Sequence, residues 1–401
     1  MQTRVLAKTE LTALLASLTA LTALSLDTVL PAFGQISREL AITDSRTIQY
    51  VVILFIFGMV FGEIAFGPLS DSIGRKNAIL IGLTIFLTGT LIAALASTIE
   101  MMLAGRIIQG VGVAGAKIGS RAIIRDLYQG PAMAKILSVI FAILVLVPML
   151  APIMGQWVMA WFGWRAIFIL LLVWAAFATL WLTTRLAETL PQSRRIPVSF
   201  KTLGTNTMLI LQHPKIMAYT ICAGLIFGTQ LLFIAFAHSL FVDLYQTGSH
   251  FPYYFALLGL ATGLGAFVNS TMVHRFGLFN ITLAALFNIT ASSAILIAIG
   301  FAFQHKPPFI LFMAAGMLAF FSIGVVIGNT NAMAMQSMGR IAGLGSSVIA
   351  SLSSLVAVGF SAFAGSLYDN STLPMAAAFF LAAAISIFLI IIAEKTTTRT
   401  I

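Results

Sequence analysis

Five ionisable side chains fall inside long apolar stretches: Asp27, Glu63, Arg106, Lys117 and Arg121. A charge in hydrocarbon is expensive, so such residues line a polar path, bind an ion or substrate, or pair with one another. The segment 106–126, RIIQGVGVAGAKIGSRAIIRD, holds four cations: Arg106, Lys117, Arg121 and Arg125. Counting along each stretch at about 1.5 Å per residue sorts the charges by depth. Asp27 and Arg106 lie in the outer third, and Glu63 and Lys117 in the inner third at matching depth, so each level holds an acid and a base. At about 100° per residue the four cations form one helical stripe flanked by Gln109, while Gly105, Gly112, Gly115 and Gly119 occupy the opposite side. Small residues let a neighbouring helix approach closely. The charged face is therefore expected to point into a polar cavity or the bundle interior. Each charge also has a plainer reading as an ion pair that only fixes packing. That reading is preferred for Arg121 and Arg125, which lie near the inner interface. Asp27 reads as a titrating acid and Arg106 as its counter-charge. Glu63 and Lys117 stand between the two readings, as a mutually compensating pair or as part of a substrate cavity.

These residues must be held by membrane helices. The 401-residue chain is 60% hydrophobic and 8% charged. Apolar runs of about 20 residues, the length that crosses a bilayer core, recur along it. Backbone groups in lipid must be paired internally, which makes each run a helix, and no alternating barrel pattern is present. The expected fold is an all-α membrane protein of twelve spans in two six-helix bundles. The spans fall at roughly 11–33, 47–68, 77–97, 101–123, 134–157, 164–186, 216–240, 251–272, 278–303, 308–331, 341–366 and 373–393. A polar interruption at 187–215, with Arg194, Arg195, Pro197 and Lys201, divides the chain into 1–186, a central loop, and 216–401. The first run follows Arg4 and Lys8 and reads as an uncleaved first helix.

With the N-terminus inside, fifteen Lys and Arg fall on the cytoplasmic side, Arg340 and Arg399 among them, against Arg38, Arg46, Arg165 and Lys306 outside. That bias places both termini in the cytoplasm. It also explains the net charge of +10 as an insertion signal, without a nucleic-acid partner. Cys222 is the only cysteine, which excludes an intrachain disulfide or a Cys-based metal site. No GxxxxGK[ST] segment occurs, so ATP-driven transport within the chain is not expected. Gln230, Tyr253, Tyr254, Asn329 and Asn331 are candidate polar contacts in an otherwise apolar, aromatic cavity. His238 reads as a polar residue at a helix end, Met333 and Met335 as core, and HKPP at 305–308 as a loop breaker.

The segment GPLSDSIGRK at 67–76 resembles the signature loop of the major facilitator superfamily, with Gly67, Asp71, Gly74, Arg75 and Lys76 on its pattern. There the glycines allow a tight turn, and Asp71 can accept from a helix N-terminus or an arginine. LAGRIIQG at 103–110 resembles that family's fourth-helix motif, which implies a proton-coupling role for Arg106. PMLAPIMG at 148–155 resembles its antiporter motif through Pro148, Pro152 and Gly155, with Ala151 where glycine is usual. LSLDTVLPA at 24–32 resembles the first-helix motif of the drug-exporting branch. Together with RAIIRDLY at 121–128, GWRAIF at 163–168 and ETLP at 188–191, it resembles the Bcr/CflA group of drug:proton antiporters. VHRFG at 273–277 is a worn copy of the signature loop. Glu63 and Lys117 depart from that group, where glutamine and a small residue are usual.

The resemblance implies an inner-membrane carrier that exports small amphiphilic drugs of the chloramphenicol or bicyclomycin type in exchange for protons. The two halves would rock around a central cavity, and Asp126 and Arg125 would belong to the conformational motif. A monomer is expected, with the proton gradient as energy source and no cofactor, metal or enzymatic activity. An exporter of a natural metabolite such as a siderophore, or an uptake symporter, is the alternative.

Overall fold

The computed structural model describes residues 7–44, 46–128, 130–197, 200–336 and 342–395. Arg4, Arg340 and Arg399 of the charge balance, and the expected first residue of the eleventh span, lie outside them. Among the described residues every apolar run is helical and no strand occurs.

The first run, expected as one span over 11–33, is broken. Helix α1 (Lys8–Asp27) stops at the acid, a short 3-10 turn follows at Leu30–Ala32, and α2 (Phe33–Glu39) resumes. The cause is local. The carbonyl of Asp27 would take the N–H four residues on, but that residue is Pro31, which has none. Thr28 also donates both its N–H, at 3.2 Å, and its hydroxyl, at 2.6 Å, to the Leu24 carbonyl.

Next come α3 (Tyr50–Ile73) and α4 (Arg75–Ala94), joined only by Gly74 at φ +106°. A side chain there would be strained. Helix α5 (Ile99–Leu127) carries the cation stripe, and its N-terminus is capped by the Thr98 hydroxyl, which accepts from Met101 N–H at 3.3 Å. Helices α6 (Gly130–Phe162) and α7 (Arg165–Arg185) complete the first half. A short α8 (Phe200–Leu211) lies within the polar interruption. It precedes α9 (Pro214–His238), α10 (Phe251–Phe276), α11 (Leu278–Ala302), α12 (Phe309–Gln336), α13 (Ala342–Ser366) and α14 (Leu373–Lys395). Among the described residues eleven helical spans are long and apolar enough to cross a membrane, and α6 stands in the place of the expected fifth.

The chain divides into two compact units, Met1–Phe200 and Lys201–Ile401. Inside the first, α1 packs on α6, α3 and α4 on α5, and α4 on α7. The second repeats the scheme: α9 on α13, α10 and α11 on α12, and α11 on α14. Glycines set the closest of these approaches. A Cβ on Gly105 or Gly112 of α5 would strike the backbone of α4 at Gly89 or Phe86, and one on Gly110 would strike the Phe55 carbonyl of α3. In the second unit Gly265 of α10 and Gly324 of α12 press on each other's helix in the same way.

Candidate functional site

Asp27 ends α1 at the break, only 3% exposed, and its Oδ1 meets no hydrogen-bond partner. Gly155 of α6 lies directly on the carbonyl of the next residue, Thr28, close enough that any side chain at 155 would collide with it. Pro152 is buried and Pro148 half-buried along the same helix. The residue after the acid of the first-helix motif and the glycine of the antiporter-like motif are thus in contact.

Arg106 is completely buried in a different setting. Its Nε donates to the Val51 carbonyl at 2.8 Å, its Nη1 donates to Gln109 Oε1 at 2.6 Å, and its guanidinium sits 4.5 Å from the Phe55 ring centroid. The expected ion pair with Asp27 is absent: the backbone of α3 and a neighbouring amide take the place of a carboxylate. Nη2 of Arg106 has no partner. Gln109, expected to line a cavity, is itself buried, and its Nε2 donates to Thr90 Oγ1 at 2.8 Å. Arg106 and Gln109 therefore lace α3, α5 and α4 together.

At the inner level the acid and base do meet. Lys117 Nζ donates to Glu63 Oε1 at 2.6 Å and lies 3.9 Å from Met59 Sδ. Glu63 is fully buried, while the Lys117 side chain is 18% exposed. Arg121, one helical turn on, is exposed and within Coulombic reach of Glu63.

The signature loop is organised by Arg75. Its guanidinium reaches Asp71 Oδ1 at 2.5 Å, Asp126 Oδ2 at 2.8 Å and Ser70 Oγ at 3.2 Å. Arg125, expected to join this motif, is exposed and forms no ion pair among the described residues; its neighbour Asp126 takes the bond instead. Gly67 lies inside α3 and makes no turn; only Gly74 does. Asp71 does not cap a helix. That task falls to Glu188, whose carboxylate accepts from the backbone N–H of Arg75 at 2.8 Å and of Lys76 at 3.2 Å. Lys76 Nζ in turn donates to the carbonyls of Thr183 and Leu186, at 2.8 and 2.7 Å. Ile196 N–H completes the strap by donating to the Asp71 carbonyl at 3.1 Å. The Glu188 cap escaped the sequence reading, although an acid just past a span on the same side as the 67–76 loop was a usable signal.

In the second unit the candidate polar contacts scatter. Asn329 is 2% exposed and exchanges two amide hydrogen bonds with Asn269 of α10, at 2.8 and 2.9 Å, which occupies the side chain expected to meet substrate. Asn331 donates to the Ile327 carbonyl of its own helix at 2.9 Å. Tyr254 stacks on Phe241 with 6.2 Å between centroids, Tyr253 is 53% exposed, and Gln230 is half-buried. His238 ends α9 against the Phe251 ring, Met333 is buried and Met335 exposed. Gly277, in the worn copy of the signature loop, takes φ +79° between α10 and α11 as Gly74 does between α3 and α4.

A chain of long apolar helices in two like-built units, with ionisable groups buried inside the first, is a multi-pass membrane protein of the secondary-carrier class. It belongs to the Major Facilitator Superfamily, whose family model matches residues 15–361. It is 29% identical over 376 residues to the uncharacterized MFS-type transporter YdgK of Bacillus subtilis, covering 93% of this chain and 92% of that one. It is 27% identical over 356 residues to a bicyclomycin resistance protein homolog of Haemophilus influenzae, covering 87% of each. Its fold is similar to that of the D-xylose-proton symporter in a crystal structure, with a TM-score of 0.77, 14% identity and 98% of each chain covered.

Proposed function

We propose that the chain is an inner-membrane exporter that moves small amphiphilic drugs outward in exchange for protons, by alternating access, with both termini cytoplasmic. The relative named for bicyclomycin resistance supports the drug class. The observation that carries the proton role is Asp27: a buried acid at a helix break, one oxygen without a donor, next in sequence to the Thr28 backbone on which Gly155 lies. Discontinuous helices are recurrent sites of substrate and ion binding in carriers. An unpaired carboxylate in such a place is costly, so binding a proton relieves it. Arg106 Nη2, a buried donor with no acceptor, is its complement. In the proposed cycle the two groups approach in one state and part in another. Asp27 takes a proton from outside, releases it inside, and competes with drug for occupancy. One elementary charge crossing 100 mV is worth about 2.3 kcal/mol, enough to drive export without a bound cofactor. Lys117 and Glu63 belong to the substrate side of this scheme, and the Arg75–Asp71–Asp126 set to the switch.

The test is drug sensitivity of an efflux-deficient bacterium expressing the chain at matched levels. Resistance to chloramphenicol-type drugs is expected from the native chain and its loss from Asp27→Asn. Undiminished resistance in Asp27→Asn removes the proton role.

A further inference from the structure

The Glu63–Lys117 pair is more than a neutral staple, because the two partners differ in access. Glu63 is sealed at 0% exposure, whereas the Lys117 side chain keeps 18%. A cation at this depth does not turn its open side to lipid; intramembrane charges face the bundle interior or a watered cavity. The second cation, Arg121, is four residues on along the same helix face, so the two extend one above the other. Glu63 has only one negative charge to offer against both. Two further carboxylates on this side, Asp71 and Asp126, share the single guanidinium of Arg75 as a set of their own. Glu63, Lys117 and Arg121 by themselves carry one positive charge in excess. One turn from Lys117, Ser120 is fully buried with a hydroxyl that meets no partner. Sealed acid, accessible base, surplus positive charge and spare hydroxyl are the parts of an anion site.

We propose that Lys117, backed by Arg121 and oriented by Glu63, is a recognition point for a single negative charge on the transported molecule. The chain then prefers substrates bearing a carboxylate or phenolate to neutral analogues, and disfavours permanent cations. Glu63 does not touch the ligand; it holds the ammonium in place and pays part of its burial cost. The word substrate rests on the reading of the chain as an exporter, but recognition itself is a property of binding.

The experiment measures binding to the purified full-length chain in detergent by fluorescence anisotropy. Its probes are a coumarin carboxylate, its methyl ester and a trimethylammonium analogue. The native chain is expected to bind the acid about tenfold tighter than the ester, about 1.4 kcal/mol, and the cation weakest. Lys117→Arg should keep that order. Replacing both Glu63 and Lys117 by Gln, which leaves no unpaired buried charge, should bring acid and ester together. Equal binding of acid and ester by the native chain overturns the proposal without any variant having to fold. An acid preference that survives in the doubly substituted chain overturns the role of Lys117. A chain that binds the acid selectively yet confers no drug resistance refutes the exporter reading alone.

Discussion

A buried ion pair adds little net stability, but breaking one strands a charge where water cannot reach it. Lys117→Ala takes from the sealed Glu63 carboxylate the ammonium that binds it at 2.6 Å, and we expect it to cost about 3 kcal/mol of stability. Glu63→Gln should cost less, since Lys117 keeps partial access to solvent. Removing both charges should cost far less than the sum of the single changes, as contacting residues do not add. Thermal unfolding of the three variants in detergent checks this, and additive losses would refute the pairing. This pair was legible in the sequence, because depth counted along two helices brings an acid and a base to one level. The outer acid and base form no ion pair here, for a reason that counting cannot see. Arg106 spends its donors on the Val51 carbonyl and on Gln109, and a backbone acceptor has no residue type to announce it.

At the scale of elements, α5 is held on both sides by glycine. Gly112→Ala would gain up to about 1 kcal/mol of helix propensity, but its Cβ would press on the backbone of Phe86 and Gly82. Two helix backbones cannot yield as a side-chain tip can, so a net loss of about 1–3 kcal/mol is expected. Gly359→Ala in α13 meets nothing within 4 Å. It should be neutral or stabilising by up to about 1 kcal/mol, and melting temperatures of opposite sign would confirm the contrast. Glu188→Ala removes the cap of α4 from the backbone N–H groups of Arg75 and Lys76. It should cost about 1 kcal/mol, with faster amide exchange confined to the first turn of α4. The glycine face of α5 could be read from helical period alone. The break after Asp27 could also have been read, since Pro31 sits four residues on from that carbonyl. The Glu188 strap spans more than a hundred residues of sequence and had only its ETLP segment to mark it.

At the scale of the molecule, composition and charge bias showed the class of protein, and the repeated helix pairings of the two units bear out its expected all-α architecture. The repeat was visible beforehand as six spans on either side of the polar interruption and as a worn signature loop, but not in its helix pairings, because packing within each unit depends on small-residue spacing more than on a fixed motif. In the proposed cycle, export depends on drug excluding the proton at Asp27. That exclusion is most directly measured as proton release into a weakly buffered detergent solution when chloramphenicol is added to the purified chain preset near the midpoint of its titration. Release from the native chain and none from Asp27→Asn is the predicted result. Equal release from both would contradict the account, because the proton would then leave from somewhere other than Asp27.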